Sequence, residues 1–117
     1  MAKGISNTSR TLEYIRSQGW EADKVEQYNV YSRRRKDLFN IIDIVALTEH
    51  GITGIQSCGQ AFAEHDRKIL SEPLALKWIE KGGHLILIGW RKVKLRPGAK
   101  AMRWKPRIKE YTIDDFK

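Results

Sequence analysis

The period of apolar and polar positions changes several times along the chain, and each change marks an element. Residues 7–18, NTSRTLEYIRSQ, carry Leu12, Tyr14 and Ile15 on one side, which predicts a short helix. Ser6, Asn7 or Thr8 can cap its start, and Gly19 can supply the left-handed stop. From Trp20 to Tyr31 the pattern alternates imperfectly and is rich in Val and Tyr, predicting a strand over Lys24–Tyr28. Two apolar runs, Asn40–Leu47 and Thr53–Cys58, flank Thr48-Glu49-His50-Gly51 and read as a hairpin buried on both faces. Helical spacing returns at 60–71, with Phe62 and Ile69 inward, and again from Pro73 to Lys81, where Gly82-Gly83 ends it. His84–Val93 predicts a strongly apolar strand that turns basic at Arg91, Pro97-Gly98 breaks the chain, and Ile108–Ile113 predicts a last strand. Helix, three strands, two helices and one or two strands make an α/β protein: a single domain over residues 1–117, with helices covering a central mixed β-sheet.

Length and composition agree with one core in a soluble protein, since 117 residues with 41% hydrophobic and 31% charged positions suit one globular domain. Charge adds more. A net +8 on so short a chain favours an anionic partner, nucleic acid first and an acidic membrane surface second. The single cysteine, Cys58, excludes an internal disulfide and fits a reducing compartment. Residues 1–20 lack a signal-peptide pattern, and the apolar run at 85–90, LILIGW, is too short to span a bilayer. The expected location is therefore cytoplasmic, in a bacterial or archaeal cell or as a phage protein in its host, with no membrane partner.

The chemistry concentrates in the hairpin IIDIVALTEHGITGIQSCGQ, which looks built for burial yet places Asp43 in its first strand and Gln56-Ser57-Cys58 in its second. A buried charge costs several kcal/mol unless it is paired, hydrated or metal-bound. Directly opposed residues of an antiparallel pair share a face. A turn centred between Glu49 and His50 opposes Asp43 to Gln56, and one centred a residue later opposes it to Cys58. Both registers gather Asp43, Gln56 and Cys58, whereas an even-sum register opposes Asp43 to Ser57. Asp43 offers a charged oxygen and Gln56 a neutral carbonyl oxygen to a hard cation, while a cysteine thiolate is too soft for Mg²⁺. No zinc-ligand set is present, and His50, His65 and His84 show no ligand spacing.

The run LFNIIDIVAL, then GIQSCG, then a basic helix, resembles the core of the PD-(D/E)XK nuclease superfamily, the fold of restriction endonucleases and Holliday junction resolvases. The likeness covers roughly residues 10–92 and implies a restriction-endonuclease-like αβββαβ core. It also implies the first strand acid at Asp43, the second acid position at Gln56, the lysine position at Cys58 and the helical glutamate at Glu13. Gln56 and Cys58 depart from the (D/E)-x-K pattern. Members that move the lysine to the following helix make Lys68, with Arg67 behind it, the substitute. By this resemblance Asp43, Gln56 and Glu13 hold Mg²⁺ (or Mn²⁺), and Lys68 stabilises developing charge. Asp37 is a further acid beside them.

Two basic clusters flank that hairpin. Arg33, Arg34, Arg35 and Lys36 lead into it, and the C-terminal segment 91–109 interleaves Arg91, Lys92, Arg103 and Lys105 with Trp104. With Arg67, these side chains can neutralise phosphates, and an exposed aromatic can stack on a base. The expected function is a metal-dependent DNA endonuclease hydrolysing phosphodiester bonds, with branched or junction DNA as a substrate, working as a homodimer by analogy. The alternative is a catalytically inactive nucleic-acid-binding protein on a decayed nuclease fold. An RNA-binding module is a third reading.

Overall fold

A computed structural model describes residues 5–117. The chain forms α1 (Asn7–Ser17), β1 (Glu21–Lys24), β2 (Gln27–Asn29), β3 (Arg34–Lys36), β4 (Ile44–Thr48), β5 (Gly51–Cys58), α2 (Phe62–Ser71), α3 (Pro73–Glu80), β6 (His84–Lys94) and β7 (Met102–Glu110). A short 3₁₀ turn, Ile113–Phe116, ends it. The main sheet has the order β1-β4-β5-β6-β7, with β5 and β6 parallel and every other neighbouring pair antiparallel. β2 and β3 form a separate two-stranded hairpin. The expected α/β architecture, one domain with a mixed central sheet between helices, is the one adopted.

Local chemistry places the helices. Ser6 Oγ accepts the Ser9 N–H at 3.1 Å, and Gly19 closes α1 at φ +86°, a conformation costly for any side chain with a Cβ. Glu72 caps α3 by accepting the Leu74 N–H, and Pro73 stands where its missing N–H costs nothing. α1 packs on one face of the sheet through Ile15, against Ile44, Ala46, Ile55, Ile88 and Trp90. α2 and α3 cover the other face, where Phe62, Ile69 and Ala75 meet Cys58, Leu85 and Leu87. Gly89 sets the approach of α2, because a Cβ there would fall 2.6 Å from the Phe62 ring.

Four expectations change. The strand expected over Lys24–Tyr28 is two strands, interrupted at Val25-Glu26, where the chain leaves the main sheet to build the β2–β3 hairpin. β4 starts four residues after Asn40, because Phe39 and Asn40 adopt left-handed conformations (φ +53° and +68°) in a tight turn. The last strand is Met102–Glu110 rather than Ile108–Ile113. The basic segment is thus half of a long β6–β7 hairpin, and Ile113 opens the 3₁₀ turn. The β4–β5 hairpin is not buried on both faces along its length, since Leu47 and Ile52, paired with each other, are exposed.

Candidate metal centre between two basic hairpins

β4 runs antiparallel to β1 and β5, so the start of β4, the end of β1 and the end of β5 share one end of the sheet. β6 continues past that end beside β7, and the β2–β3 hairpin rises from the end of β1. Register then brings three acids together. Gln27 pairs with Lys36 at the base of the β2–β3 hairpin, so Glu26 and Asp37 face each other as the next pair outward. A bridge between Leu38 and Ile42 does the same for Asp37 and Asp43. One carboxylate oxygen from each of Glu26, Asp37 and Asp43 lies within 4.8 Å of the others.

Turn geometry settles the β4–β5 register. Thr48 pairs with Gly51, centring the turn between Glu49 and His50, the register that opposes position 43 to position 56. The ladder stops one residue short of that pair. The Asp43 N–H donates to the Ile55 carbonyl, which Ile44 already faces, so Asp43 forms a β-bulge. Its carboxylate turns to Ser57, accepting the backbone N–H at 2.9 Å and the hydroxyl at 3.1 Å, and Thr8 Oγ1 of α1 stands 3.1 Å behind that hydroxyl. Burial, then hydrogen bonding with Asp37, raise the Asp43 carboxyl to about 8, against the lowering effect of the Ser57 bonds.

The other predicted residues separate into those that reach this cluster and those that do not. Lys68 does, its Nζ 4.0 Å from Asp37 Oδ2. Gln56 is buried beside the site, but its Oε1 takes His65 Nδ1–H at 3.1 Å rather than completing the carboxylate set. His65 is therefore an orienting partner, and burial followed by Lys68 lowers its pKa. Cys58 sits in the core under α2, where burial first and then the Asp43 charge push its thiol up to about 11. Glu13 is exposed on α1, whose inward face is Thr8, Thr11 and Ile15, so the helix presents Thr8 to the site and turns Glu13 away.

Glu26 is the acid that sequence reasoning missed, because its position falls inside what the pattern predicts as a continuous strand. Its side chain is 8% exposed. Lys24 and Arg35 approach Oε1 at 3.4 and 3.8 Å, yet that buried oxygen has no hydrogen-bond partner. An under-bonded carboxylate oxygen beside two more carboxylates is a hard, oxygen-only donor set of the kind Mg²⁺ or Mn²⁺ takes.

Cations surround the acids on both sides. Arg33, Arg34 and Lys36 have no carboxylate partner among the described residues, nor do Arg67, Arg91, Lys92, Arg103 and Lys105. Arg91 and Lys105 pair across the β6–β7 arm, and Arg103 pairs with Val93 on the same face. On the opposite face Trp104 is 42% exposed, with the Arg10 guanidinium 3.9 Å and Lys92 Nζ 5.2 Å from its ring centre, whereas Trp90 is in the core. Among the described residues no helix is long and apolar enough to cross a membrane. Comparison with protein-family models, with curated proteins and with solved structures finds no match to this chain.

Proposed function

We propose that the chain is a metal-dependent DNA endonuclease of PD-(D/E)XK type, hydrolysing phosphodiester bonds, with branched or junction DNA as its substrate. The observation that carries this reading is the convergence of Glu26, Asp37 and Asp43, with Lys68 beside them, at the sheet end from which two basic hairpins rise. Asp43 keeps the role its place in the sequence suggests, while Glu26 and Asp37 take the places expected of Glu13 and Gln56.

Glu26, Asp37 and Asp43 would hold Mg²⁺ or Mn²⁺, which supplies phosphate polarisation and a water of lowered pKa when bound. The chain's own groups do the rest. To hold the cation Asp43 would have to be ionised, and the Ser57 N–H and hydroxyl keep its carboxylate aimed. Lys68, held at Asp37, stabilises charge developing on the phosphate. Arg33–Lys36 on one side and Arg91, Arg103 and Lys105 on the other neutralise flanking phosphates, which gives affinity with little sequence reading.

Incubation with supercoiled plasmid and a four-way junction tests this. Mg²⁺ or Mn²⁺ should support nicking, Asp43→Ala and Glu26→Ala should abolish it, and Lys68→Ala should slow it by about 10²-fold or more. Clean protein that binds these DNAs but cuts none of them would leave the second reading, a nucleic-acid-binding protein without catalysis. One observation favours that reading: Gln56 carries no charge and commits its oxygen to His65.

A further inference from the structure

The face of the sheet that carries α2 and α3 is covered unevenly. α3 stands over β5 and β6, with Trp78 against Gly54 and Gly83. Beside it the Leu47 end of β4 and the Glu21 and Asp23 side chains of β1 are exposed, while Val45 of β4 packs into the core. Across this shelf Glu21 pairs with Leu47 and Leu47 with Ile52, so all three side chains point to the same side as α3. Leu47 is 59% and Ile52 53% exposed. Phe39 reaches in from the turn before β4, its ring centre 6.0 Å from that of Trp78. Phe39, Ile52, Leu74 and Trp78 line an apolar cleft of about 500 Å³, and Leu47 stands exposed next to it through its pairing with Ile52.

Charge is divided about this cleft. Lys77 on α3 and Lys81 just after its end lie exposed on one side, with no carboxylate partner among the described residues. On the other side β1 presents Glu21, which has no cation within ion-pair distance among those residues, and Asp23, held at 3.4 Å by Arg16. A ridge beside a shelf, with cations on the ridge and anions on the shelf, is complementary to itself under a two-fold rotation. The same rotation superposes shape on shape and charge on opposite charge.

We infer that this surface binds a second copy of the chain, α3 of each protomer lying on the β1–β4 shelf of its partner. Leu47 and Ile52 stand at the centre of the contact, with Lys77 and Lys81 facing the partner's acidic edge. The inference rests on this surface alone and is independent of the nuclease reading. The surface uses Phe39, which lies in the turn between Asp37 and Asp43, so the partner abuts the segment that positions two of the three acids.

Sedimentation equilibrium on the full chain, from about 1 to 100 μM, tests the inference within the affinity range of such contacts. Wild-type protein should be dimeric. Leu47→Lys with Ile52→Lys should weaken the dimer by about 30-fold or more, the effect of losing a central anchor. Lys77→Glu with Lys81→Glu should also weaken it, and adding Glu21→Lys with Asp23→Lys to that variant should restore it. All substituted side chains are exposed, and far-ultraviolet circular dichroism confirms that each variant is folded. A wild-type monomer at every concentration overturns the inference. So does a dimer indifferent to Leu47 and Ile52, or a charge exchange that fails to restore association. Asp43→Ala, which should remove cleavage, should leave the dimer intact, so failure of either reading is read separately.

Discussion

Asp43 combines burial, a second carboxyl partner and two donors from Ser57, and the first two prevail in setting its pKa. Its carboxyl ionises near 3.8 in the unfolded chain and at about 8 in the fold, so between those values the folded state holds the extra proton. Stability of the metal-free protein should therefore fall as pH rises from about 4 to about 8, the reverse of the usual salt-bridged aspartate. Asp43→Asn, which keeps an acceptor for the Ser57 N–H, should remove most of that slope and be the more stable protein at pH 8. Urea unfolding of both proteins between pH 5 and 9 measures the difference. Added Mg²⁺ should stabilise wild type at the alkaline end and have little effect on the variant. The sequence made Asp43 conspicuous, because an acid inside an apolar strand needs a reason. Glu26 carried no such mark: its burial arises from a break after β1 that propensity does not signal. Glu13 stands away from the site for a related reason, since the phase of α1 turns Thr8, Thr11 and Ile15 to the sheet and leaves Glu13 about 140° round the helix from Thr8.

The β6–β7 hairpin converts a basic stretch of sequence into an arm with two distinct faces. Register puts Arg91, Lys105 and Arg103 on one face, and Lys92, Trp104 and Met102 on the other. The charge and the tryptophan were legible in the sequence. The strand was not, because Pro106 and the dense cations of Met102–Glu110 depress strand propensity, and pairing with the apolar half of β6 overrides that preference. Replacing Arg91, Arg103 and Lys105 by Ala should weaken DNA binding at every sequence alike. The slope of log affinity against log salt should also drop by about 0.9 for each phosphate that is no longer neutralised. Fluorescence anisotropy with a labelled duplex over a salt series gives both quantities. An unchanged slope would place the DNA elsewhere on the molecule.

At the scale of the whole chain, the α/β class and the mixed central sheet followed from the alternation of apolar strands and amphipathic helices, whereas the strand order did not. What the pattern could not convey is how the three acids meet, because that depends on two registers and a bulge. Those devices differ in reach. The turn through Phe39 and Asn40 closes Asp37 onto Asp43 locally, at the cost of two left-handed side-chain-bearing residues. Glu26 joins them only while the four-residue edge strand β1 stays on β4. Edge strands so short open readily, and their amides exchange early. An ion bound by all three carboxylates would act as a clasp on that edge. Saturating Mg²⁺ should slow hydrogen exchange in β1 and at the base of the β2–β3 hairpin more than in β5 or β6. The acids would then serve the fold and the chemistry by one binding event, with the ion's occupancy readable from the edge of the sheet.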